Sequence, residues 1–156
     1  MIPKTIEIIF CDVDGVLTDG NLLISNDGSY SKSFNTKDGY GIIKAIQAGI
    51  HIYWITGRRD PATQKRAKEL GCPVSFVDGE DKSVAVQKIL AELNISKENS
   101  VFIGDDIPDL SVLPYVGYFT VPRDAHYKVK EKAHMVMSKP GGAGAVRELI
   151  DIILDE

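Results

Sequence analysis

Two aspartates spaced two residues apart follow a short apolar segment near the start of the chain. Asp12 and Asp14 come directly after residues 8–11, and Gly15 follows them. Because residues i and i+2 of a strand point to the same side, both carboxylates can serve one site. Neighbouring carboxylates repel unless a proton or a cation is shared, and carboxylate oxygens are ligands that Mg²⁺ prefers. The pair indicates a metal site, although acids that only hydrogen-bond a turn would give the same local pattern.

A second acidic group follows another apolar segment further along the chain. Residues 101–103 lead into Gly104 and then into Asp105, Asp106 and Asp109. Two strand ends that both carry paired acids are poorly explained as independent caps and turns. The repeated pattern therefore favours one shared site over two unrelated loops.

A hydroxyl group and several cations lie between the two acidic groups. Thr56 ends an apolar segment, Gly57 and Arg58 follow it, and Lys82 comes at the start of a later helical segment. Taken singly, these residues suit a capped turn and exposed surface. Taken with the acids, they favour a site for a divalent metal and a phosphate group.

The elements that must position these residues alternate between apolar strands and helices. Helical spacing of apolar residues predicts a helix that Asp38 caps, then helices over residues 61–70 and 82–93, and a terminal amphipathic helix. Buried strands are predicted over residues 8–11, 50–56, 74–77, 100–103 and 118–121. This order predicts an α/β fold, a doubly wound, Rossmann-like and mainly parallel sheet with helices on both faces. Ligands bind such sheets at the carboxyl ends of the strands.

One segment interrupts the alternation. The pair Asp27-Gly28 lies between two strand-like runs, which is typical of a β-hairpin. We therefore predict a small hairpin flap over about residues 21–35 within a single domain of residues 1–156. The flap is too short to form a full lid, so we expect any further cover for the site to come from another subunit.

Composition excludes several classes of function. The 156 residues are 44% hydrophobic and 26% charged, which is typical of a globular protein. The formal net charge of −4 argues against nonspecific nucleic-acid binding, and the apolar runs are too short to span a membrane. The first residues lack the pattern of a signal peptide, and two isolated cysteines form no disulfide framework, so we expect a cytoplasmic protein.

Taken together, the motifs resemble those of a known superfamily. Asp12-Val13-Asp14-Gly15, Thr56-Gly57, Lys82 and Gly104-Asp105-Asp106-Ile107-Pro108-Asp109 look like the four motifs of the haloacid dehalogenase superfamily of phosphatases. Asp38-Gly39-Tyr40-Gly41, Arg66-Ala67 and the glycine-rich residues 141–148 resemble a narrower, capless family within it. Members of that family act on the phosphates of 3-deoxy sugar acids, and the resemblance covers nearly the whole chain.

The resemblance implies a role for each residue of the motifs. Asp12 would be the nucleophile that forms an aspartyl-phosphate, and Asp14 the acid and base. Mg²⁺ would be held by the Asp12 carboxylate, the Asp14 main-chain carbonyl and Asp105. Thr56 and Lys82 would hold the phosphoryl oxygens, with Asp106 and Asp109 as supporting residues that fix Lys82 or metal-bound water.

The resemblance also implies the substrate contacts and the assembly. The residues expected to bind the sugar acid are Asn35, Thr36, Lys37, Asp38, Gly39, Gly57, Arg58 and Arg66. Arginine at position 58 favours an eight-carbon acid 8-phosphate, because enzymes acting on the nine-carbon acid 9-phosphate tend to carry glutamate there. The sequence departs from the family pattern at Arg59-Asp60-Pro61 and at Asp78-Gly79. The family also implies a homotetramer.

Two hypotheses from other functional classes are alternatives to a phosphatase. A receiver domain of a signalling pathway also combines acids, threonine, lysine and magnesium on a doubly wound sheet. Its phosphorylated aspartate lies on a central strand in the chain order, whereas the best nucleophile here follows the first strand. A non-catalytic scaffold is the other alternative, but such chains usually lose an acid or the lysine, and this sequence keeps them all.

Overall fold

The computed structural model describes residue 2 and residues 5–155, and its strands and helices alternate along the chain. The strands are β1 (Ile8–Cys11), β2 (Leu23–Ile24), β3 (Tyr30–Ser31), β4 (His51–Thr56), β5 (Val74–Phe76), β6 (Ser100–Ile103), β7 (Tyr118–Val121) and β8 (Met135–Val136). The α-helices are α1 (Thr36–Gln47), α2 (Pro61–Leu70), α3 (Lys82–Leu93), α4 (Tyr127–Lys130) and α5 (Ala145–Leu154). Two 3-10 helices cover Lys97–Asn99 and Ile107–Tyr115. None of the helices in the described part of the chain is long and apolar enough to cross a membrane.

Six strands form one parallel sheet in the order β5-β4-β1-β6-β7-β8. The chain starts at β1, adds β4 and β5 on one side, and then returns to add β6, β7 and β8 on the other. The carboxyl ends of β4, β1 and β6 therefore lie side by side where the order reverses, which is where ligands bind in such sheets. The predicted doubly wound α/β fold is confirmed.

The sheet separates two apolar cores because successive side chains of a strand point to opposite faces. Ile9 and Cys11 of β1 pack with α1, α2 and α5, while Ile8 and Phe10 pack with α3. All four residues of β1 are fully buried. Such two-sided burial explains why the strand is a continuous apolar run rather than an alternating one.

The remaining two strands, β2 and β3, form a separate antiparallel hairpin, which we call the flap. Its paired segments are shorter than predicted, because each strand contributes only two residues. Leu23 and Ile24 on β2 are 74% and 69% exposed, so the flap contributes little to either core. A hairpin of this size is only marginally stable alone and depends on contacts with the rest of the fold.

The predicted cap of α1 is wrong. Asn35, not Asp38, is the N-cap, and its side-chain oxygen accepts a hydrogen bond from the Lys37 N–H at 2.8 Å. Asp38 lies inside the first turn and is buried, and its carboxylate accepts a bond from the Arg147 N–H of α5 at 2.8 Å. The aspartate thus joins two helices rather than starting one.

Candidate active site

Asp12 lies at the carboxyl end of β1, next to the first residue of α3. The pleat of the strand directs Asp12 to the same side as Phe10, and α3 packs on that face. Lys82 begins α3, and its Nζ atom lies 2.8 Å from Asp12 Oδ1 and 2.6 Å from Asp109 Oδ1. The lysine is only 8% exposed, and its ammonium group bridges the acids that follow β1 and β6.

The second acidic group is ordered by a 3-10 helix that follows β6. Asp109 Oδ2 accepts hydrogen bonds from the N–H groups of Asp105 at 2.8 Å and Asp106 at 3.2 Å. Asp106 is exposed, and its side chain accepts a bond from the Ile107 N–H at the start of the 3-10 helix. Asp109 therefore contacts Lys82, while Asp106 acts as a cap at the rim of the site.

The crowding of buried charges changes the protonation of these groups. Burial raises the pKa of Asp12 to about 6, and repulsion from Asp109 adds to this while Lys82 opposes it. Burial, followed by repulsion from Asp12 and Asp109, raises the pKa of Asp105 to about 8. Burial alone would lower the pKa of Lys82, but Asp12 and Asp109 attract the ammonium group and hold its pKa above the usual value. The site is thus short of positive charge.

These carboxylates fit a divalent cation. One oxygen from each of Asp12, Asp105 and Asp109 lies within 4.8 Å of the others. Asp105 Oδ1 is buried and has no hydrogen-bond partner within the described structure. Gly15 has a φ of 89°, and a Cβ atom there would overlap the Asp105 carboxylate, so only glycine leaves room for this arrangement. A hard cation with oxygen ligands would both satisfy the orphaned oxygen and remove the repulsion.

Asp14 has a different environment from Asp12. Its Oδ1 atom lies 2.8 Å from Lys32 Nζ, and its Oδ2 atom lies 3.7 Å from Arg58 Nε. The Asp14 carboxylate therefore contacts the flap and the loop after β4, and it is not part of the cluster formed by Asp12, Asp105 and Asp109. Of the three predicted metal ligands, the structure brings two carboxylates together, and Asp14 could contribute only through its main chain.

A cavity of about 550 Å³ opens above these residues at the carboxyl edge of the sheet. Thr56 is 2% exposed, and its hydroxyl accepts a bond from the Arg58 N–H at 3.4 Å. The cavity is lined by Asp12, Asp14, Thr56, Gly57, Arg58, Arg59, Lys82, Asp105, Asp106, Pro108 and Asp109. Acids, hydroxyl and cations therefore face one volume large enough for a phosphorylated small molecule.

Several predicted substrate residues do not line this cavity within one chain. Asp38 is buried against α5, and Gly39 packs against the Arg66 guanidinium so closely that a Cβ atom would overlap it. Arg66 pairs with Glu69 at 3.3 Å. The Asn35 amide donates to the Gly142 carbonyl at 3.2 Å. Thr36 and Lys37 are exposed on the surface.

Sequence reasoning missed two buried residues beside the site. Lys32 follows β3 of the flap, and its Nζ atom lies 2.9 Å from Asp60 Oδ2 as well as close to Asp14. Asp60 is 2% exposed and caps α2. An aspartate directly before Pro61 is a recognisable cap signal, but no local pattern indicated the lysine on the flap.

The two segments that depart from the family pattern contact each other through one residue of each. Arg59 lies after β4 and Asp78 after β5, and their side chains form an ion pair at 2.8 Å. The Arg59 guanidinium also lies 4.6 Å from the centre of the Phe76 ring. Two of the departing residues therefore form an ion pair next to the cavity, which Arg59 lines, and the spacing in the sequence did not reveal this contact.

The fold and the site together define a hydrolase of the haloacid dehalogenase type. A profile of the haloacid dehalogenase-like hydrolases matches residues 76–149. The 3-deoxy-D-manno-octulosonate 8-phosphate phosphatase KdsC of Yersinia pestis is 42% identical over 149 residues, which cover 96% of this chain and 80% of that protein. The chain therefore belongs to the family of 3-deoxy-D-manno-octulosonate 8-phosphate phosphatases.

Solved structures of relatives agree with this assignment. The phosphatase from Moraxella catarrhalis, in complex with a magnesium ion, a phosphate ion and KDO, has a TM-score of 0.92 at 34% identity and covers 97% of this chain and 87% of its own. The cobalt-bound form of the Haemophilus influenzae enzyme has a TM-score of 0.92 at 34% identity and covers 97% and 89%. The protein is a phosphoric monoester hydrolase, and its clustered carboxylates Asp12, Asp105 and Asp109 could hold a metal ion.

Proposed function

We propose that the protein hydrolyses 3-deoxy-D-manno-octulosonate 8-phosphate through a phosphorylated Asp12. The observation that carries this proposal is the 2.8 Å contact between Asp12 Oδ1 and Lys82 Nζ at the floor of the cavity. The contact holds the carboxylate where a phosphate group would approach, and it supplies positive charge beside it. The family relatives that are named for this substrate support the choice of sugar acid.

The reaction has two steps. An oxygen of Asp12 attacks phosphorus, the bond from phosphorus to the sugar oxygen breaks, and Asp14 donates a proton to that oxygen. Asp14 then accepts a proton from a water molecule that attacks the phosphorylated Asp12, which releases inorganic phosphate and restores the carboxylate. Bound to Asp12 and Asp105, Mg²⁺ would neutralise charge between the anionic nucleophile and the anionic phosphate. Thr56 and Lys82 are the proposed partners of the phosphoryl oxygens.

Arg58 is the proposed determinant of substrate length. Its side chain is 49% exposed at the cavity, so it is available to pair with the sugar carboxylate. Arg66 and residues 35–39 stay proposed substrate contacts. Because they do not line the cavity of their own chain, they would have to act through a neighbouring subunit or after a rearrangement.

Assembly and location complete the proposal. We expect a homotetramer of single-domain chains in the cytoplasm, serving the synthesis of lipopolysaccharide. The exposed side chains of Leu23 and Ile24 on the flap support self-association, because large exposed apolar side chains are found at partner surfaces. Measuring the mass of the particle in solution tests this part directly.

The test of the function is phosphate release in the presence of Mg²⁺. We expect kcat/KM to be highest for the eight-carbon acid 8-phosphate, lower for the nine-carbon acid 9-phosphate, and lowest for hexose phosphates. Arg58→Glu should lower kcat/KM for the eight-carbon substrate about tenfold to a hundredfold, because a charged hydrogen bond is lost. Arg123→Glu makes the same charge change at an exposed position outside the cavity and serves as the control. A preference of the unmodified enzyme for the nine-carbon acid would overturn the assignment.

A further inference from the structure

A lysine from the flap is buried between two carboxylates beside the cavity. The Lys32 side chain has no exposed surface, and its Nζ atom lies 2.8 Å from Asp14 Oδ1 and 2.9 Å from Asp60 Oδ2. The hydroxyl of Thr63 lies 3.4 Å from the same nitrogen. An ammonium group with three donors is thus held by three oxygens, two of which carry charge.

The carboxylate of Asp60, the partner of Lys32 that lies further from the cavity than Asp14, is fixed by α2. Asp60 Oδ1 accepts a bond from the Thr63 N–H at 2.8 Å, and Asp60 Oδ2 accepts one from the Thr63 hydroxyl at 2.8 Å. Both Asp60 and Thr63 are buried. The carboxylate that anchors Lys32 therefore cannot turn away without breaking the cap of the helix.

The other partner of Lys32, Asp14, is more exposed than Asp60. The Asp14 side chain is 29% exposed, and its second oxygen has only a long contact of 3.7 Å with Arg58. Arg58 in turn lies over the ring of Tyr30, two residues before Lys32 on the flap. This segment of the flap therefore contacts Asp14 directly through Lys32 and contacts its other neighbour, Arg58, through Tyr30.

We infer that Lys32 is a positioning residue that holds the Asp14 carboxylate toward the leaving oxygen of the substrate, with Asp60 as its anchor on α2. This inference rests on the proposed function, in which Asp14 protonates that oxygen. To donate its proton, the Asp14 carboxyl group must keep one direction. The buried ammonium group of Lys32, which Asp60 anchors, can hold it there. Loss of Lys32 should therefore impair proton donation more than it impairs attack by Asp12.

The test compares two substrates that differ in their need for an acid. An alkyl phosphate such as the sugar acid phosphate or glycerol phosphate needs protonation of its leaving oxygen, whereas p-nitrophenyl phosphate leaves as a stable anion. The ratio kcat/KM covers only the steps up to release of the alcohol. For Lys32→Met, we expect kcat/KM to fall about 10²-fold with the alkyl phosphate, the lower end of the contribution of a general acid. With p-nitrophenyl phosphate it should change little.

Matched variants separate positioning from folding. Lys88→Met removes the same charge from an exposed site on α3 and should leave both rates unchanged. The double variant Lys32→Met with Asp60→Asn removes the buried carboxylate that the single variant leaves unpaired, so it keeps the fold if the single variant does not. It should show the same selective loss. An equal loss with both substrates, or no loss, would overturn the inference.

A crystal structure of Lys32→Met gives a second test that needs no turnover. We expect the Asp14 carboxylate to leave its present direction while Asp12 stays in place. An unmoved Asp14 carboxylate would contradict the inference. The rates of the unmodified enzyme on its substrates test the proposed function separately, because they do not depend on the variant.

Discussion

Two buried lysines each lie between two carboxylates, and the two arrangements differ in what supports them. Lys82 lies between Asp12 and Asp109 and belongs to α3, which packs on the sheet. Lys32 lies between Asp14 and Asp60 and belongs to the flap, which contributes little to the cores. One acid of the Asp12–Asp14 pair is therefore held by the framework of the fold, and the other by a peripheral hairpin.

The difference teaches how one short loop can carry two tasks. The nucleophile Asp12 must keep its position through both steps. Lys82 holds it there, because this lysine begins α3 and α3 packs on the sheet. An acid that becomes a base must serve first the leaving oxygen and then a water molecule. The lysine that holds this second acid is not fixed by its own hairpin but by Asp60, which caps α2.

The largest expected effect separates the two acids themselves. Asp12→Asn should lower kcat/KM about 10⁴-fold or more with every substrate, because no nucleophile remains. Asp14→Asn should lower it strongly with an alkyl phosphate and much less with p-nitrophenyl phosphate. Steady-state rates of both variants with both substrates are the measurement, with circular dichroism as the check on folding. Turnover by Asp12→Asn near the unmodified rate would contradict the assignment of the nucleophile.

The next effect contrasts the two lysines. Lys82→Met should lower kcat/KM about 10²-fold to 10³-fold with both substrates alike, because it removes positive charge from the transferring phosphoryl group. Lys32→Met is expected to be selective. A selective loss in Lys82→Met would show that the two lysines do the same work, and the comparison would then fail.

A smaller effect concerns stability without metal. Carboxyl groups of the unfolded chain ionise near pH 4, whereas burial raises the pKa of Asp12 to about 6 and that of Asp105 to about 8. Between pH 4 and pH 8 the unfolded state releases protons that the folded state keeps, so the free energy of unfolding should fall as the pH rises. The total should be on the order of a few kcal/mol in urea titrations with a chelator present.

Two controls define that prediction. Added Mg²⁺ should reduce the loss of stability at pH 8, because the cation binds the ionised carboxylates of the folded state. Asp105→Asn should flatten the dependence on pH in the metal-free protein. A metal-free protein whose free energy of unfolding rises between pH 5 and pH 8 would contradict the prediction.

The smallest effect is expected at the rim. Arg59 and Asp78 pair at 2.8 Å, but both side chains are 56% exposed. Exposed ion pairs contribute little, because water and salt screen them. Arg59→Gln should leave the midpoint of urea unfolding unchanged within error. A clear shift that disappears in the Asp78→Asn background would show that the pair matters more than its exposure suggests.

The sheet and one half of the site could be predicted from local patterns. Apolar runs that end in polar residues located β1, β4 and β6, and Pro61 marked the start of α2. Parallel strands bring their carboxyl ends together, so the sequence alone predicts that Asp12, Thr56 and Asp105 lie close to one another. Lys82 alone could equally have been a surface residue, and it joined the predicted site only through the combined pattern of acids, Thr56 and lysine.

The other half depends on contacts between distant parts of the chain. The position of Lys32 is set by how the flap folds back onto α2, and no spacing along the sequence fixes that angle. Asp38 shows the same limit, because its partner Arg147 is 109 residues away. The local pattern around Asp38 predicted a helix cap. In the structure its carboxylate instead accepts a hydrogen bond from the Arg147 N–H and connects α1 with α5.

The two cysteines offer an unexpected experimental advantage. Cys11 and Cys72 are both free and buried. Burial raises the pKa of Cys72 to about 12 and that of Cys11 well above its ordinary value, so little of the reactive thiolate forms. A cysteine introduced by Asn26→Cys, at the exposed turn of the flap, would be the preferred target of a maleimide dye. Fluorescence from the flap could thus be followed during turnover in the otherwise native protein.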